Sequence, residues 1–461
     1  MSREQTDALA EGRASNAVAA EVSALPIPAG PSIAVTVTRR RLDGPGALSR
    51  IEILLLIAGT LGAALAYLVP MVFTLALKID LLDRGNEAVL GYILGIGSVV
   101  TLLTAPLTGI LSDRTRTRWG RRRPFAIGGM IVGIGAIALM AMAQDLVALG
   151  AGWVLSNLGW GTALGSIGNI QADRLSAGQR GKVGALTGVV TQVAPVTGVL
   201  LVGPIVGDIG LAMWLPTLVG IPLVLLFVVF VREADSRGAV FDHRLTVGSI
   251  LRSYLFRPSA HPAFAWNWLG RFLFFFGITF TSTYSTFFLA SRMELSVQEI
   301  APIVGLMSAI GTAVSALGAV AAGWLSDRWG RRRPFILASV CLYAAGAGVS
   351  AFATDLPVLI VGAVLTSLGV ALFLAINQAM VLDVLPLRDT QAGRFMGITA
   401  FSQKIPNALA PLLAPVLLAT GGVAGENYTL LYLSAGAFAL LGGLLICFRV
   451  TATADSSPVV R

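Results

Sequence analysis

The sequence has little charge. Only 12% of its 461 residues are charged, whereas soluble domains carry about 25%. Apolar residues make up 55%, and the mean hydropathy is +0.80. This composition predicts a polytopic membrane protein. The net charge of +9 would suit a nucleic-acid partner only if the basic residues shared a solvated face; they lie instead in short connections between long apolar runs, so we expect no nucleic-acid partner.

Cysteine and histidine are also scarce, with two residues of each. Cys341 and Cys447 fall inside apolar segments, which excludes a disulfide framework and a Cys-x-x-Cys metal site. His243 and His261 lie in the central polar segment. The sequence contains no Ser/His/Asp set and no phosphate-binding loop, so we predict no enzyme activity, no cofactor and no metal site.

Long apolar runs fill most of the chain. A helix needs roughly 20 apolar residues to cross the hydrocarbon core. Twelve segments meet that length: residues 52–77, 88–111, 125–144, 146–170, 183–206, 210–231, 263–290, 297–325, 335–354, 356–382, 394–420 and 428–449. Lys and Arg concentrate in the connections on one side, which the positive-inside rule assigns to the cytoplasm. We therefore expect an all-α protein of the inner membrane with both termini cytoplasmic.

One long connection divides the twelve spans into six and six. The predicted organisation is a disordered cytoplasmic tail at 1–50, a six-helix bundle at 51–231, a cytoplasmic central loop at 232–262, a second six-helix bundle at 263–450 and a cytoplasmic tail at 451–461. The first tail is rich in Ala, Ser, Pro and Gly and lacks apolar periodicity, which is typical of disorder.

A basic segment occurs once in each half. Residues 109–125 read GILSDRTRTRWGRRRPF, and residues 323–335 read GWLSDRWGRRRPF. From the tryptophan onward the two copies are offset by 210 residues, and acidic residues coincide at that same offset: Asp145 with Asp355, and Asp173 with Asp383. Shared membrane composition would explain scattered Gly and Leu matches but not aligned acidic residues. The repeat therefore predicts two related halves.

Two homologous six-helix bundles are typical of transporters that rock around a site at the membrane midplane. Residues 323–333 match the pattern Gly-x-Leu-x-Asp-Arg-x-Gly-Arg-Arg-Arg without gaps, and over residues 50–450 the chain resembles the major facilitator superfamily. The four extra residues of the first copy, together with Leu68-Val69-Pro70, are similar to the sucrose:proton symporters and the glycoside/pentoside/hexuronide:cation symporters. This resemblance implies the major facilitator fold, with twelve transmembrane helices in two homologous six-helix bundles.

The resemblance also implies that the basic segments latch a cytoplasmic gate. We assign that role to Asp113, Arg114 and Arg121 in the first copy and to Asp327, Arg328 and Arg331 in the second. Two further gating pairs of the same type are predicted: Asp173 with Arg180, and Asp383 with Arg394. A competing interpretation is that the arginines only fix the topology and bind lipid headgroups.

Polar side chains at membrane depth are the candidates for substrate binding. Arg271 and Lys404 are the deep charges, and no Asp or Glu lies at comparable depth. Because buried cations without carboxylates are strongly penalised, each should meet water, backbone carbonyls or a substrate anion, although Arg271 could instead anchor near the interface. The neutral candidates are Asn157, Trp160, Gln192, Asn267, Asn377, Gln378, Gln403 and Asn407. Asn157 and Trp160 could form a sugar platform, while amides can also simply join helices.

These features predict a monomeric secondary transporter that moves a sugar, a glycoside or a related small polar metabolite and contacts membrane lipids. The second span lacks the acidic residue that the resemblance implies for sodium-coupled members. Symport with a proton or cation, uniport and exchange therefore stay open. Export of drugs or lipophilic metabolites is the alternative within transport. A membrane enzyme lacks site chemistry here, and a sensor would need a soluble output domain.

Overall fold

The structure is a computed structural model that describes residues 48–233, 235–237, 256–329, 332–386, 388–420 and 427–450. At 177–178, 180–181, 323–327, 329 and 388–393 it describes the backbone alone. Within these ranges the long elements are all helices. They are α1 Arg50–Val69, α2 Leu75–Leu82, α3 Ala88–Arg114, α4 Arg123–Met142, α5 Leu146–Arg174, α6 Ala177–Val202, α7 Ile209–Phe230, α8 Pro262–Thr283, α9 Ser285–Met293, α10 Ala301–Trp329, α11 Arg333–Ala351, α12 Leu356–Asp383, α13 Arg388–Ala419 and α14 Tyr428–Arg449.

Two of the predicted spans are each built from two helices. A π-helical turn at Pro70–Thr74 joins α1 and α2 into one span, and α8 meets α9 at a bend of 51°. Among the described residues, nine helical segments are long and apolar enough to cross a membrane, or ten with the bent pair. The remaining two, α5 and α13, have membrane length but fall short of that hydropathy. Each of the twelve predicted spans corresponds to one helix or to one joined pair of helices, so the all-α fold class is confirmed.

Residues at equivalent positions of the sequence repeat make equivalent contacts in the two halves. Asp145 and Asp355 cap the N-termini of α5 and α12, where they accept the N–H groups of Ala148 at 2.7 Å and Val358 at 2.9 Å. Four cations donate to carbonyl oxygens at helix C-termini, two in each half: Lys78 to Ala141, Arg123 to Val229, Arg292 to Ala351 and Arg333 to Val450. Cations are favourable at the negative end of a helix, so both halves are stabilised by the same kind of contact between a cation and a helix C-terminus.

Buried apolar side chains form one shared core at one end of the bundle and separate cores at the other. The shared core takes residues from both halves, including Phe73, Met140, Phe280, Val304 and Leu418. Toward the basic segments, one core belongs to the first half, around Phe227, and another to the second half, around Phe274. We call the end that carries the basic segments the basic end, and the other the closed end. The halves are therefore joined at the closed end and have separate cores toward the basic end.

Candidate functional site

A cavity of about 460 Å³ lies between α3 and α5 of the first half and α13 of the second. The wall from the first half is rich in hydroxyl and amide groups, supplied by Thr101, Thr104, Thr108, Ser112, Asn157, Thr162, Ser166 and Asn169. The wall from the second half consists of Gly397, Ala400, Phe401 and Lys404. Asp113 also lines the cavity, which therefore reaches the basic end.

Asn157 joins three helices at the first-half wall. Its Oδ1 accepts the hydroxyl of Tyr67 from α1 at 2.8 Å and that of Thr101 from α3 at 3.0 Å. Its Nδ2 donates to the carbonyl of Trp153 at 2.9 Å, and the Tyr67 and Trp153 rings stack with centroids 5.9 Å apart. These bonds occupy much of the hydrogen-bonding capacity of the amide. Asn157 therefore fixes the shape of the wall and has one N–H left to donate.

Phe401 and Lys404 lie nearly one turn apart on α13 and face the same cavity. Lys404 is exposed, so its ammonium group need not shed its water. An aromatic face beside a cation can hold the apolar side of a ring and a polar or negative substituent at once. The second-half wall therefore complements the hydroxyl-rich wall opposite.

Three other predicted residues meet inside the second half. Nη1 of Arg271 donates to Oδ1 of Asn377 at 2.7 Å, and Nδ2 of Asn377 donates to Oδ1 of Asn267 at 3.0 Å. All three side chains are buried, and the Arg271 guanidinium carbon lies 5.0 Å from the centroid of Phe275. This triad links α8 to α12 and stands apart from the cavity lining.

The structure places Trp160 away from the cavity. The side chain is completely buried in the first-half core, where its indole packs on Gly133 of α4. A Cβ at Gly133 would come within 2.6 Å of the Trp160 Nε1 atom, so the glycine makes the contact possible. The predicted platform of Trp160 with Asn157 is not formed. Gln192, Gln378 and Gln403 have exposed side chains and are likewise absent from the described cavity lining.

Several lining residues were not predicted from the sequence. On α5, Asn157 is followed by Gly161, Gly165 and Asn169 at intervals of four residues. Residues four apart share a helix face, so a projection from Asn157 would have identified this stripe. The threonines of α3 follow similar spacing but resemble any membrane-helix threonine that bonds to its own backbone. Only their position opposite α13 marks them.

At the basic end, Arg122 is the central cation of the first basic segment. It is only 6% exposed and pairs with Asp113 at 2.5 Å and Asp173 at 3.4 Å. The more exposed Arg121 pairs with Asp173 at 2.8 Å and approaches Asp113 at 3.7 Å. Asp113, Arg121 and Asp173, to which the sequence assigned a gating role, thus lie together, and that role stays a prediction; Arg122 was missed. Nothing in the run of three arginines indicates which one turns inward.

The residues that follow α7 fold back onto this segment. Oε2 of Glu233 accepts the backbone N–H groups of Arg122 and Arg123, both at 2.9 Å, at the start of α4. Gly120 has φ +91°, and a Cβ there would lie 2.3 Å from Glu233 Cβ, so glycine is required. Burial raises the pKa of the Glu233 carboxyl above its ordinary value. The central loop therefore begins as a strap, formed by residues 232–233 and 235–237.

The described part of the second basic segment contains an equivalent ion pair. Arg332 forms an ion pair with Asp383, the counterpart of the Arg122–Asp173 pair. Arg394, the predicted partner of Asp383, has its guanidinium carbon 5.5 Å from the centroid of Phe395. Arg114 ends α3, and Arg328 lies in the last turn of α10. Arg331 lies outside the described residues, and so do the side chains of Arg180 and Asp327.

At the closed end, the break between α8 and α9 fastens the second half to the first. The hydroxyl of Tyr284 accepts the N–H of Gly91 at 3.1 Å and donates to the carbonyl of Ala88 at 3.2 Å. Thr286 donates to the carbonyl of Val72, in the π-helical turn, at 2.9 Å. A Cβ at Gly91 would lie 2.2 Å from the Tyr284 hydroxyl and 2.3 Å from the Pro411 carbonyl oxygen. This end is closed by direct contact of the two halves.

Sequence comparison matches the family profile of the Major Facilitator Superfamily to residues 54–318 and 301–460. A stretch of 91 residues is 40% identical to an uncharacterized symporter of Synechocystis sp. strain PCC 6803, covering 20% of this chain and 16% of that protein. A stretch of 96 residues is 31% identical to an efflux transporter of Aspergillus oryzae, covering 21% and 17%. The chain thus matches only a small part of each relative's length.

Solved structures match over nearly the whole chain. A structure of the nucleoside transporter NupG superposes with a TM-score of 0.66 at 12% identity, covering 86% of this chain and 98% of that one. The human organic anion transporter MFSD10 superposes with a TM-score of 0.61 at 18% identity, covering 86% and 99%. At such identities the likeness concerns the fold alone.

Proposed function

Since the chain belongs to the Major Facilitator Superfamily, it is a membrane transporter, and we propose that it moves a sugar, a glycoside or a related small polar metabolite, neutral or anionic, by alternating access. The proposal places it in the cytoplasmic membrane as a monomer, with the basic end and both termini facing the cytoplasm. The positive-inside distribution of Lys and Arg supports that orientation.

The observation that carries the proposal is the contrast between the two cavity walls. The first-half wall presents hydroxyls and amides that suit sugar hydroxyls, and the second-half wall presents Phe401 and Lys404. A volume of about 460 Å³ suits a small molecule. Lys404 provides a cation for a negative substituent on the substrate. The Synechocystis relative is described as a symporter, which supports coupling to a proton or cation.

The second candidate is export of a drug or a lipophilic metabolite. It is favoured by the relatives described as efflux transporters, which are 31% identical over 96 residues. The threonine hydroxyls of α3 donate to carbonyls of their own helix, but their oxygen atoms can still accept. A purely lipophilic substrate offers them no hydrogen-bond donor, which disfavours its binding in this cavity.

The test is uptake of radiolabelled glucose, sucrose and glucuronate into proteoliposomes, with and without gradients of protons or sodium, beside efflux of a lipophilic dye. We expect saturable flux of at least one sugar. Absence of saturable sugar flux together with active dye efflux would reject the proposal in favour of the exporter. Gradient dependence distinguishes symport from uniport.

Lys404→Gln gives the residue-level test. Removal of the ammonium group should raise the KM for glucuronate about tenfold or less, because Lys404 is exposed and its charge is screened. Glucose or sucrose, if carried, should change little. Equal loss for acidic and neutral sugars would show that Lys404 does not act through charge.

A further inference from the structure

Arg271 differs from three other arginines that contact helix ends or carboxylates in what neutralises it. Arg122 meets two carboxylates, and Arg292 and Arg333 meet the negative ends of helices through carbonyl oxygens. Arg271 is 8% exposed near the middle of α8, and no described carboxylate lies within 4 Å of it. A guanidinium buried without an anion is strongly disfavoured, so this position requires an explanation beyond packing.

The orientation of the guanidinium group indicates which edge is available. Nη1 is held by the Asn377 amide oxygen at 2.7 Å, and the face of the group lies near Phe275. Asn377 is itself fixed by its bond to Asn267. The Nε atom is buried and has no hydrogen-bond partner among the described residues, and no described contact involves Nη2. The edge formed by Nε and Nη2 is therefore presented ready for a ligand.

That edge is the part of arginine that binds a carboxylate with two parallel hydrogen bonds. We propose that the Nε–Nη2 edge of Arg271 is a binding site for a small monovalent anion, supplied by a carboxylate on the transported substrate or by free chloride. Nearby, Nε1 of Trp268 on α8 donates to the Ile398 carbonyl at 2.9 Å, next to the cavity residue Gly397 on α13. The helix that carries Arg271 thus packs against the helix that supplies the second-half wall of the cavity.

The site differs in chemistry from Lys404. Lys404 is an exposed point charge in the cavity, whereas Arg271 is buried and its plane is fixed at one corner. A lysine at position 271 would keep the charge but lose the two-donor edge. Arg271→Lys therefore separates recognition by geometry from simple attraction by charge.

Binding is tested on the purified full-length protein in nanodiscs. Thermal unfolding is followed while sodium acetate or sodium chloride replaces sodium sulfate at constant ionic strength. We expect a saturable rise in Tm for the wild type, about a tenfold or greater loss of apparent affinity in Arg271→Lys, and complete loss in Arg271→Gln. Arg449→Gln is the matched control, since it removes another arginine of the second half, stacked over Trp266, and should leave anion affinity unchanged.

No saturable anion effect on the wild type, or equal affinity in the wild type and Arg271→Lys, would overturn the proposal; the first outcome would mean that only water meets the Nε atom. If Arg271→Gln does not fold, Arg271→Lys alone decides. Transport by Arg271→Lys then identifies which anion occupies the site. Loss of glucuronate flux relative to glucose flux assigns the site to the substrate carboxylate. Loss of chloride binding with unchanged fluxes assigns it to chloride. The substrate assignment rests on the proposed function, whereas the binding experiment stands without it, so the two can fail separately.

Discussion

The two ends of the bundle hold the halves together in different ways. At the closed end a single apolar core and hydrogen bonds from Tyr284 and Thr286 cross from one half to the other. At the basic end the described ion pairs, such as Arg122 with Asp173 and Arg332 with Asp383, stay within one half. Closure therefore depends on close packing between halves, whereas the basic clusters give each half an internal brace that survives when that end is open.

The largest effect should come from Gly91→Val. The added side chain has no space between the Tyr284 hydroxyl and the Pro411 carbonyl, at 2.2 and 2.3 Å from the Cβ position. We expect the closed end to be held apart. The distance between spin labels at Arg84→Cys and Glu299→Cys, one in each half, should increase in nearly all molecules. Gly135→Val, where a Cβ meets nothing within 4 Å, is the control and should leave the distances unchanged. Unchanged distances in Gly91→Val would contradict the packing explanation.

Tyr284→Phe should have a smaller effect because the ring remains. It removes two hydrogen bonds between halves and leaves the Gly91 N–H without that partner, which costs about 1–3 kcal/mol. We expect roughly a fivefold or larger rise in the population with the closed end parted, read from the same spin-label pair. Thr286→Val, which removes one bond to the Val72 carbonyl, should shift that population less. A greater shift in Thr286→Val would place the main fastening at the π-helical turn.

Arg122→Gln tests the brace at the basic end. It leaves Asp113 and Asp173 without their buried cation, and we expect a loss of about 1–2 kcal/mol of stability after allowing for their partial exposure. Arg332→Gln should cost less, since that side chain is 30% exposed, against 8% for Arg122. Thermal unfolding of both variants in nanodiscs measures the difference. Equal losses would mean that burial of Arg122 adds nothing.

The smallest effect concerns the strap. Burial raises the pKa of Glu233 above its ordinary value of 4.5, so the folded state binds the proton more tightly than the unfolded state. The resulting stability is fully present below about pH 4.5 and is lost as the pH rises through the higher folded-state pKa. Glu233→Gln keeps an acceptor oxygen but does not titrate. Relative to Glu233→Gln, the wild type should therefore lose Tm as the pH rises above about 4.5, and parallel Tm profiles would reject this link.

Much of the fold could be predicted from the sequence because its signals are regular. The thickness of the membrane sets the length of the spans, and the positive-inside rule sets the charge of the connections. The offset of 210 residues predicted two related halves, and Asp145 and Asp355 indeed cap equivalent helices. The sequence also found Asn157 and Lys404, because polar groups are conspicuous in apolar helices.

The side-chain environments could not be predicted in the same way. The sequence suggested that Trp160 binds a sugar, yet Gly133 on α4 leaves space for its indole in the first-half core. Arg122 differs from its neighbours only by the direction in which the chain turns after Gly120. Such outcomes depend on contacts between helices that are distant in the sequence, and composition carries no information about them.

The lower hydropathy of α5 and α13 bears on how the protein is made. A polar helix enters the bilayer reluctantly by itself. The insertion of α5 is helped by a neighbouring helix, because Gly159 lets α5 pack tightly on α4, which leaves the ribosome just before it. For α13 a principal partner is α3, near the other end of the chain, which meets it where Leu412 packs against Gly95. We expect α13 to be the last helix to reach its final position in the bundle, so its insertion would be the rate-limiting step of biogenesis.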